Sequence, residues 1–249
     1  MGIFVMLCGV AFFSYIMGNF IEIITNYDQK MGVIDHGKDL HNWLTMLSRF
    51  TNNKPLPRKL ALKIEASFAY YWANDRLSIA PDDSFMSHLP RVIKRSIVTN
   101  YIYQDVFYKF RPFFNSADNR DSKFLYEVGF GLIPRDFCEE ELIYDEEDEV
   151  PEMYFLLEGA VGVGFRLSGF GRQHRIVKHI REKSQICDHF VCEGLKSEFL
   201  FLAVKEIKAF ALQRKYFKKL MKNYPKITDQ IRKEARARYM KVVREPLLK

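Results

Sequence analysis

Met153-Tyr154-Phe155-Leu156-Leu157-Glu158-Gly159-Ala160-Val161-Gly162-Val163 is the stretch that decides the fold. Its first five residues are a strongly apolar run of the kind that forms a buried strand. Glu158-Gly159 makes the turn, and Ala160 to Phe165 is the returning strand. Outward from this hairpin, further strands are expected at Glu141 to Tyr144, Gln173 to Ile180, Phe199 to Val204 and Ile207 to Leu212. The acidic turn Asp145 to Glu149 and a glycine turn at Gly169 and Gly171 separate them. Ile207 to Leu212 is apolar in both phases, so burial on both faces is expected. Many short strands with close turns predict a β-roll or barrel. Two helices close it: Lys215 to Met221, with Tyr216, Phe217 and Leu220 inward, and one opened by Pro225 that runs to about Val243.

Upstream the period changes. Helices are expected over His41 to Phe50, with Trp43, Leu47 and Phe50 on one face, and over Arg58 to Trp72, with Leu60, Ile64, Phe68 and Tyr71 or Trp72 at i, i+4 spacing. Asn52 to Pro57 makes the turn between them. Asp82 or Asp83 caps a short helix ending at Leu89, and Pro90 opens one that carries Ile93, Ile97 and Tyr101. Tyr103 to Phe110 is a further turn or helix before Pro112-Phe113-Phe114. Asn115 to Ser122 is a polar link.

At the start, Ile3 to Ile24 holds 17 apolar residues in 22, with no charge before Glu22. As a helix it would span roughly 33 Å, enough for a hydrocarbon core of about 30 Å. It lacks the basic head and small-residue cleavage site of a secretion signal. Asn19 and Glu22 sit at its far end, as if meeting an aqueous vestibule. Lys30, Lys38, Arg49, Lys54, Arg58, Lys59 and Lys63 follow, which places that side in the cytoplasm. The chain begins on this segment, as a truncated gene or fragment would.

Composition sets the outer limits. The 249 residues are 48% apolar, 28% charged and 15% aromatic, which excludes a disordered chain, a collagen and a disulfide miniprotein. The mean hydropathy of −0.20 leaves room for at most one membrane-embedded segment. The net charge of +7 is unevenly spread. Asp136 to Glu152 has ten acids and no base, and residues 213–249 hold thirteen Lys/Arg against three acids. Cys8, Cys138, Cys187 and Cys192 form no CxxC pair and read as reduced thiols.

Taken in order, these strings resemble the C-terminal part of the cyclic-nucleotide-gated, hyperpolarisation-activated and ether-à-go-go cation channel superfamily. GVAFFSYIMGNFIEII resembles its last pore-lining helix. The Tyr70-Tyr71-Trp72 helix, Leu89-Pro90 and the Phe113-Phe114 junction resemble its C-linker. The opening hairpin, with Gly159 at the turn, is similar to its cyclic-nucleotide-binding domain. The resemblance implies an α+β chain: a transmembrane pore-lining helix over 1–30, a helical C-linker over 31–114, and a β-roll with C-terminal helices over 115–249. It also implies a tetramer of channel subunits in lipid. Ion selectivity is not legible, because the filter is absent. Gly129-Phe130-Gly131 and Gly169-Phe170-Gly171 follow no filter-like Thr run, and both are expected to be turn glycines of the β domain.

In that family a phosphate-binding cassette begins with Phe-Gly-Glu, and a later Arg holds the cyclic phosphate. By order, the matching stretch here is Gln185 to Phe199, where Cys187-Asp188-His189 replaces Phe-Gly-Glu and Ser197-Glu198 stands near the Arg position. A carboxylate there repels phosphate, and Lys196 is a point charge without the guanidinium fork. A degenerate pocket of Cys187, Asp188, His189, Lys196, Ser197 and Glu198 is therefore expected. cAMP and cGMP are disfavoured, and the chain's own tail (Leu247-Leu248) is a candidate occupant.

No other chemistry stands out. Asp188-His189 beside Cys192 fits no zinc spacing. His174 and His179 fall on opposite faces of a strand. The acidic run lacks EF-hand spacing. The expectation is a non-enzyme without metal or cofactor: the cytoplasmic gating and assembly portion of a tetrameric, potassium-type channel. The alternative is a membrane-anchored module that binds a nucleotide or partner and forms no pore. A nucleic-acid binder using residues 213–249 is the least favoured reading.

Overall fold

The computed structural model describes residues 13–15, 17, 36–49, 54, 56–77, 86, 88–114, 122–167 and 174–245. Contacts divide the chain into two units, Met1–Glu65 and Ala66–Lys249. Of the expected pore helix only residues 13–15 and 17 are described, and they are helical. Asn19 and Glu22 lie outside the described residues, as do Asp82, Asp83, Gly169, Gly171, Leu247 and Leu248. Among the described residues, no helix is long and apolar enough to cross a membrane.

In the first unit α1 spans His36–Arg49, opening before the expected His41. Trp43 and Met46 on it are 46% and 54% exposed. α2, Arg58–Asn74, begins in the first unit and ends in the second; it has no buried residue, with Leu60 and Leu62 open.

In the second unit, α3 (Arg91–Ile97) follows Pro90, which stands at the N-cap. The helix then widens into a π-helical turn, Val98–Ile102. Each wide turn inserts about one residue relative to the 3.6 period, so the facing side rotates after it. Ile93, ahead of the turn, and Tyr101, within it, are 45% and 84% exposed, whereas Val98 and Tyr103 are fully buried. α4 (Gln104–Lys109) and α5 (Arg111–Phe114) complete the layer. Their Phe110, Phe113 and Phe114 pack on Phe155 of the deciding strand, with ring centroids 5.0–5.2 Å apart.

α6 (Ser122–Gly131) leads into the roll. Gly129 and Gly131 are therefore helical, a correction to their expected role as turn glycines. They are small because Val98 and Tyr103 crowd the first, and Tyr216 and Leu212 the second. The strands are β1 (Leu132–Phe137), β2 (Leu142–Tyr144), β3 (Glu152–Glu158), β4 (Ala160–Arg166), β5 (His174–Arg181), β6 (Gln185–Ile186), β7 (Leu200–Ala203) and β8 (Ile207–Gln213). They form two antiparallel four-stranded sheets, ordered β1-β8-β3-β6 and β2-β7-β4-β5. Gly159 takes φ +94° at the β3–β4 turn. Ile207, Ala209, Phe210, Ala211 and Leu212 are all buried, as the two-phase pattern of β8 implies.

β1 was not expected, because Pro134 interrupts its pattern. It survives on a sheet edge, where a missing N–H breaks no ladder bond on the open side. Its Arg135 pairs with Glu152 at 3.0 Å, so the last acid of the acidic run is buried beneath a cation and does not face solvent. α7 (Asp188–Glu193) lies between β6 and β7. α8 (Arg214–Asn223) buries Phe217 and Leu220, and α9 (Pro225–Arg238) buries Ile227, Ile231 and Ala235. A second π-helical turn, Tyr239–Arg244, ends the described chain.

Candidate functional site

The cassette stretch folds as a corner and a short helix. Cys187 adopts a left-handed backbone, φ 63°, as the N-cap of α7. For a residue with a Cβ that costs about 1 kcal/mol. The corner turns Asp188 and His189 inward, each residue 6% exposed. α9 lies against α7, and its last residue meets the corner. Arg238 donates through Nη2 to Asp188 Oδ2 at 2.8 Å and through Nε at 3.3 Å. The Gln185 amide, with its oxygen toward the guanidinium, accepts from Arg238 at 2.8–3.2 Å. Tyr239 stacks on His189 at 4.5 Å with planes 17° apart. Its hydroxyl donates to Glu198 Oε2 at 2.8 Å. Arg232 pairs with Glu193 at 3.0 Å. The final helix is thus fastened to the cassette at three successive levels.

Two effects oppose each other at Asp188. Burial raises its carboxyl above the ordinary carboxylate range, and Arg238 pulls it down. The burial effect is the larger, and the carboxylate remains raised. Burial lowers His189, so it is neutral near pH 7. Burial pushes the thiols of Cys187 and Cys192 up, which keeps them protonated and poor nucleophiles.

The space left between corner and helix is a cavity of about 140 Å³. Its lining includes the apolar Ile186, Phe190, Phe201, Val242 and Val243 together with Asp188 and Arg238. Small-molecule sites start near 300 Å³, roughly twice this volume. A cyclic phosphate needs an uncommitted cation. The cation in this cavity is bound to Asp188, and the carboxylate repels a second anion.

Of the expected pocket residues, Cys187, Asp188 and His189 come together here. Glu198 is exposed, accepts from Tyr239 and lies 4.0 Å from Arg244; with His189, Glu193, Arg236 and Arg244 it lines a second, more open cavity of about 330 Å³ on the outer side of the corner. Lys196 points to solvent, and its backbone bridges Glu149. Ser197 is buried, but its hydroxyl donates to the Phe199 carbonyl at 2.6 Å, away from the cavity. Gln185, Arg238 and Tyr239 were missed. Arg238 lies 50 residues from Asp188 in a tail whose cations read as a solvated face. Among the described residues, no group of three or more His, Cys, Asp or Glu could hold a metal ion.

No protein-family profile matches the chain, and no curated protein matches it. Among solved structures, it is similar to a cyclic nucleotide-binding domain from Methylobacillus flagellatus KT. The identity is 14%, the TM-score 0.46, and the match covers 57% of this chain and 83% of that one.

Proposed function

We propose that this chain is the cytoplasmic gating and assembly portion of a tetrameric, potassium-type cation channel, built on a cyclic-nucleotide-binding type of roll that works without nucleotide. The observation that carries the second half is the Arg238–Asp188 pair. The last helix puts its guanidinium on the wall of the cassette cavity, and α7 offers a buried carboxylate that engages it. The channel half rests on the order of parts: apolar segment, short helices, roll, closing helices. The open apolar side chains of the helical layer, with Val92 74%, Tyr101 84% and Tyr108 77% exposed, suit a layer that packs on other subunits. The mechanism is mechanical and uses no catalytic residue. Displacing the last helix breaks the bond to α7 and shifts the helices that precede the roll.

Calorimetry of the folded full chain in detergent with cAMP and cGMP tests the pocket. No heat is expected up to millimolar nucleotide, and micromolar binding overturns the reading. Subunit counting in lipid discs tests assembly. Four copies are expected, and a monomer favours an anchored module that forms no pore.

A further inference from the structure

The cavity on the outer side of the cassette corner has two walls. α7 and the loop after it supply His189, Glu193, Leu195 and Glu198. α9 and the π-helical turn that continues it supply Arg236, Tyr239, Met240 and Arg244, spaced three or four residues apart along one side. The volume of about 330 Å³ lies at the lower end of the range of small-molecule sites. Part of the charge here is already committed. Arg232 engages Glu193 at 3.0 Å, and Glu198 Oε2 accepts from Tyr239 and lies 4.0 Å from Arg244 Nε. Other groups are uncommitted. Arg236 is exposed and makes no hydrogen bond or ion pair among the described residues. Glu198 Oε1 has no donor among them. His189 is 6% exposed, yet its ring makes no hydrogen bond among them. Its Nδ1 is shielded, so Nε2 is the nitrogen a ligand can reach.

We infer that this outer cavity binds a free α-amino acid with an apolar side chain, its carboxylate on Arg236 and its ammonium on Glu198. The uncommitted groups set that choice. An open guanidinium fork matches a carboxylate. A carboxylate oxygen without a donor suits an ammonium. A dipolar ligand satisfies both at once. A simple anion meets the like charge of Glu198, and a simple cation meets that of Arg236. The neutral imidazole of His189 can donate to the ligand's carboxylate or accept from its ammonium. Leu195, 44% exposed, and Met240 give an apolar side chain a surface to cover. Bound there, the ligand bridges the loop after α7 to the last helix, beside the contacts made by Arg232, Arg238 and Tyr239. His189 and Tyr239 also line the cassette cavity, but the inference rests on neither the nucleotide reading nor the channel reading.

The full chain in detergent is titrated by calorimetry with L-leucine, L-methionine, L-valine and L-phenylalanine. Saturable binding of at least one is expected. Its amide lacks the carboxylate and its N-acetyl form lacks the ammonium, and each should bind more weakly on the order of tenfold. Arg236→Gln should weaken binding of the parent amino acid on the order of tenfold, the share of one charge-assisted contact. Arg236→Lys keeps the charge and loses the fork, and it should fall between. Glu198→Gln keeps an acceptor for the Tyr239 hydroxyl and should also lose on the order of tenfold. Lys205→Gln removes an exposed cation elsewhere and should leave binding unchanged. Thermal melts confirm that the variants fold. Results in this order support the site. Absence of saturable binding by all four amino acids overturns it. Undiminished binding of the N-acetyl form overturns it too, as does a loss in Lys205→Gln equal to that in Arg236→Gln. The nucleotide titrations are read separately, so a failure of either reading is told apart from a failure of the other.

Discussion

Arg238→Met removes the guanidinium from the cassette and keeps an apolar stem of similar length. Asp188 then remains with a side chain 9% exposed and no cation. Breaking one side of a fully buried pair costs about 3–5 kcal/mol. The Arg238 side chain is 27% exposed, so water already shares part of its load. A loss of about 2–3 kcal/mol is therefore expected, which for a chain of this size lowers Tm by about 4–12 °C. The pH dependence supplies a sharper signature. Asp188 is already raised above its ordinary value, and loss of Arg238 raises it further. Between the unfolded and the folded value, the native state holds a proton that the unfolded chain has released. The stability this gives is complete below the unfolded value, near 3.9, and is lost as pH rises through the folded one. The deficit of Arg238→Met relative to the parent should thus be greatest at neutral pH and shrink on acidification toward about pH 4.5. Asp188→Leu added to Arg238→Met should restore the melt to within about 1 kcal/mol of the parent, because a hydrophobic pair of similar volume replaces a buried ion pair without loss. Differential scanning fluorimetry across the pH range reads all three chains. A deficit that grows on acidification refutes the argument, as does a Tm for Arg238→Met indistinguishable from the parent's.

Three further perturbations test other parts of the structure. Gly159→Val forces a β-branched side chain into φ +94° and drives its Cβ onto the Glu206 carbonyl oxygen, so urea unfolding should show a loss of about 2–4 kcal/mol. Tyr239→Phe keeps the stack on His189 and loses the bond to Glu198, an expected cost of about 1 kcal/mol, whereas Tyr239→Ala should cost about 3–5 kcal/mol by the same measurement. Peptide mapping after brief iodoacetamide treatment should find Cys138 modified and Cys187 and Cys192 protected until urea is added, since the last two are buried protonated thiols.

The β3–β4 hairpin was legible because its strands are adjacent in sequence and its turn needs a glycine. β8 was legible because a strand covered on both faces is apolar in both phases. β1 was not, since Pro134 counts against a strand until its edge position is known. The rotation of the buried side after α3 was not legible, for a reason that no periodicity contains. The π-helical turn at Val98–Ile102 is a tertiary choice that re-aims Tyr103 at Phe210, ring centroids 5.8 Å apart. The cassette replacement Cys187-Asp188-His189 announced a changed pocket, yet its consequence depended on Arg238. A pairing across 50 residues leaves no local pattern, and one Arg among the thirteen cations of residues 213–249 carries no mark of its own.

The roll opens and closes at one end. β1 and β8 are antiparallel neighbours with Leu132 opposite Leu212, so α6 arrives where α8 departs. Tyr216 Oη donates to the Glu127 carbonyl at 2.7 Å, and Tyr224 and Asn223 hold the Glu127 carboxylate, clipping the two helices together. The clip gives tension between α6 and the helices after the roll a path outside the strands, beside the one through Phe110, Phe113 and Phe114 on Phe155. By the first path a twist of α8 and α9 passes to α6 in a single step. The same geometry makes the roll a candidate for circular permutation: a short bridge near the clip and a cut in an outer turn would reorder the chain and leave every strand pair in place.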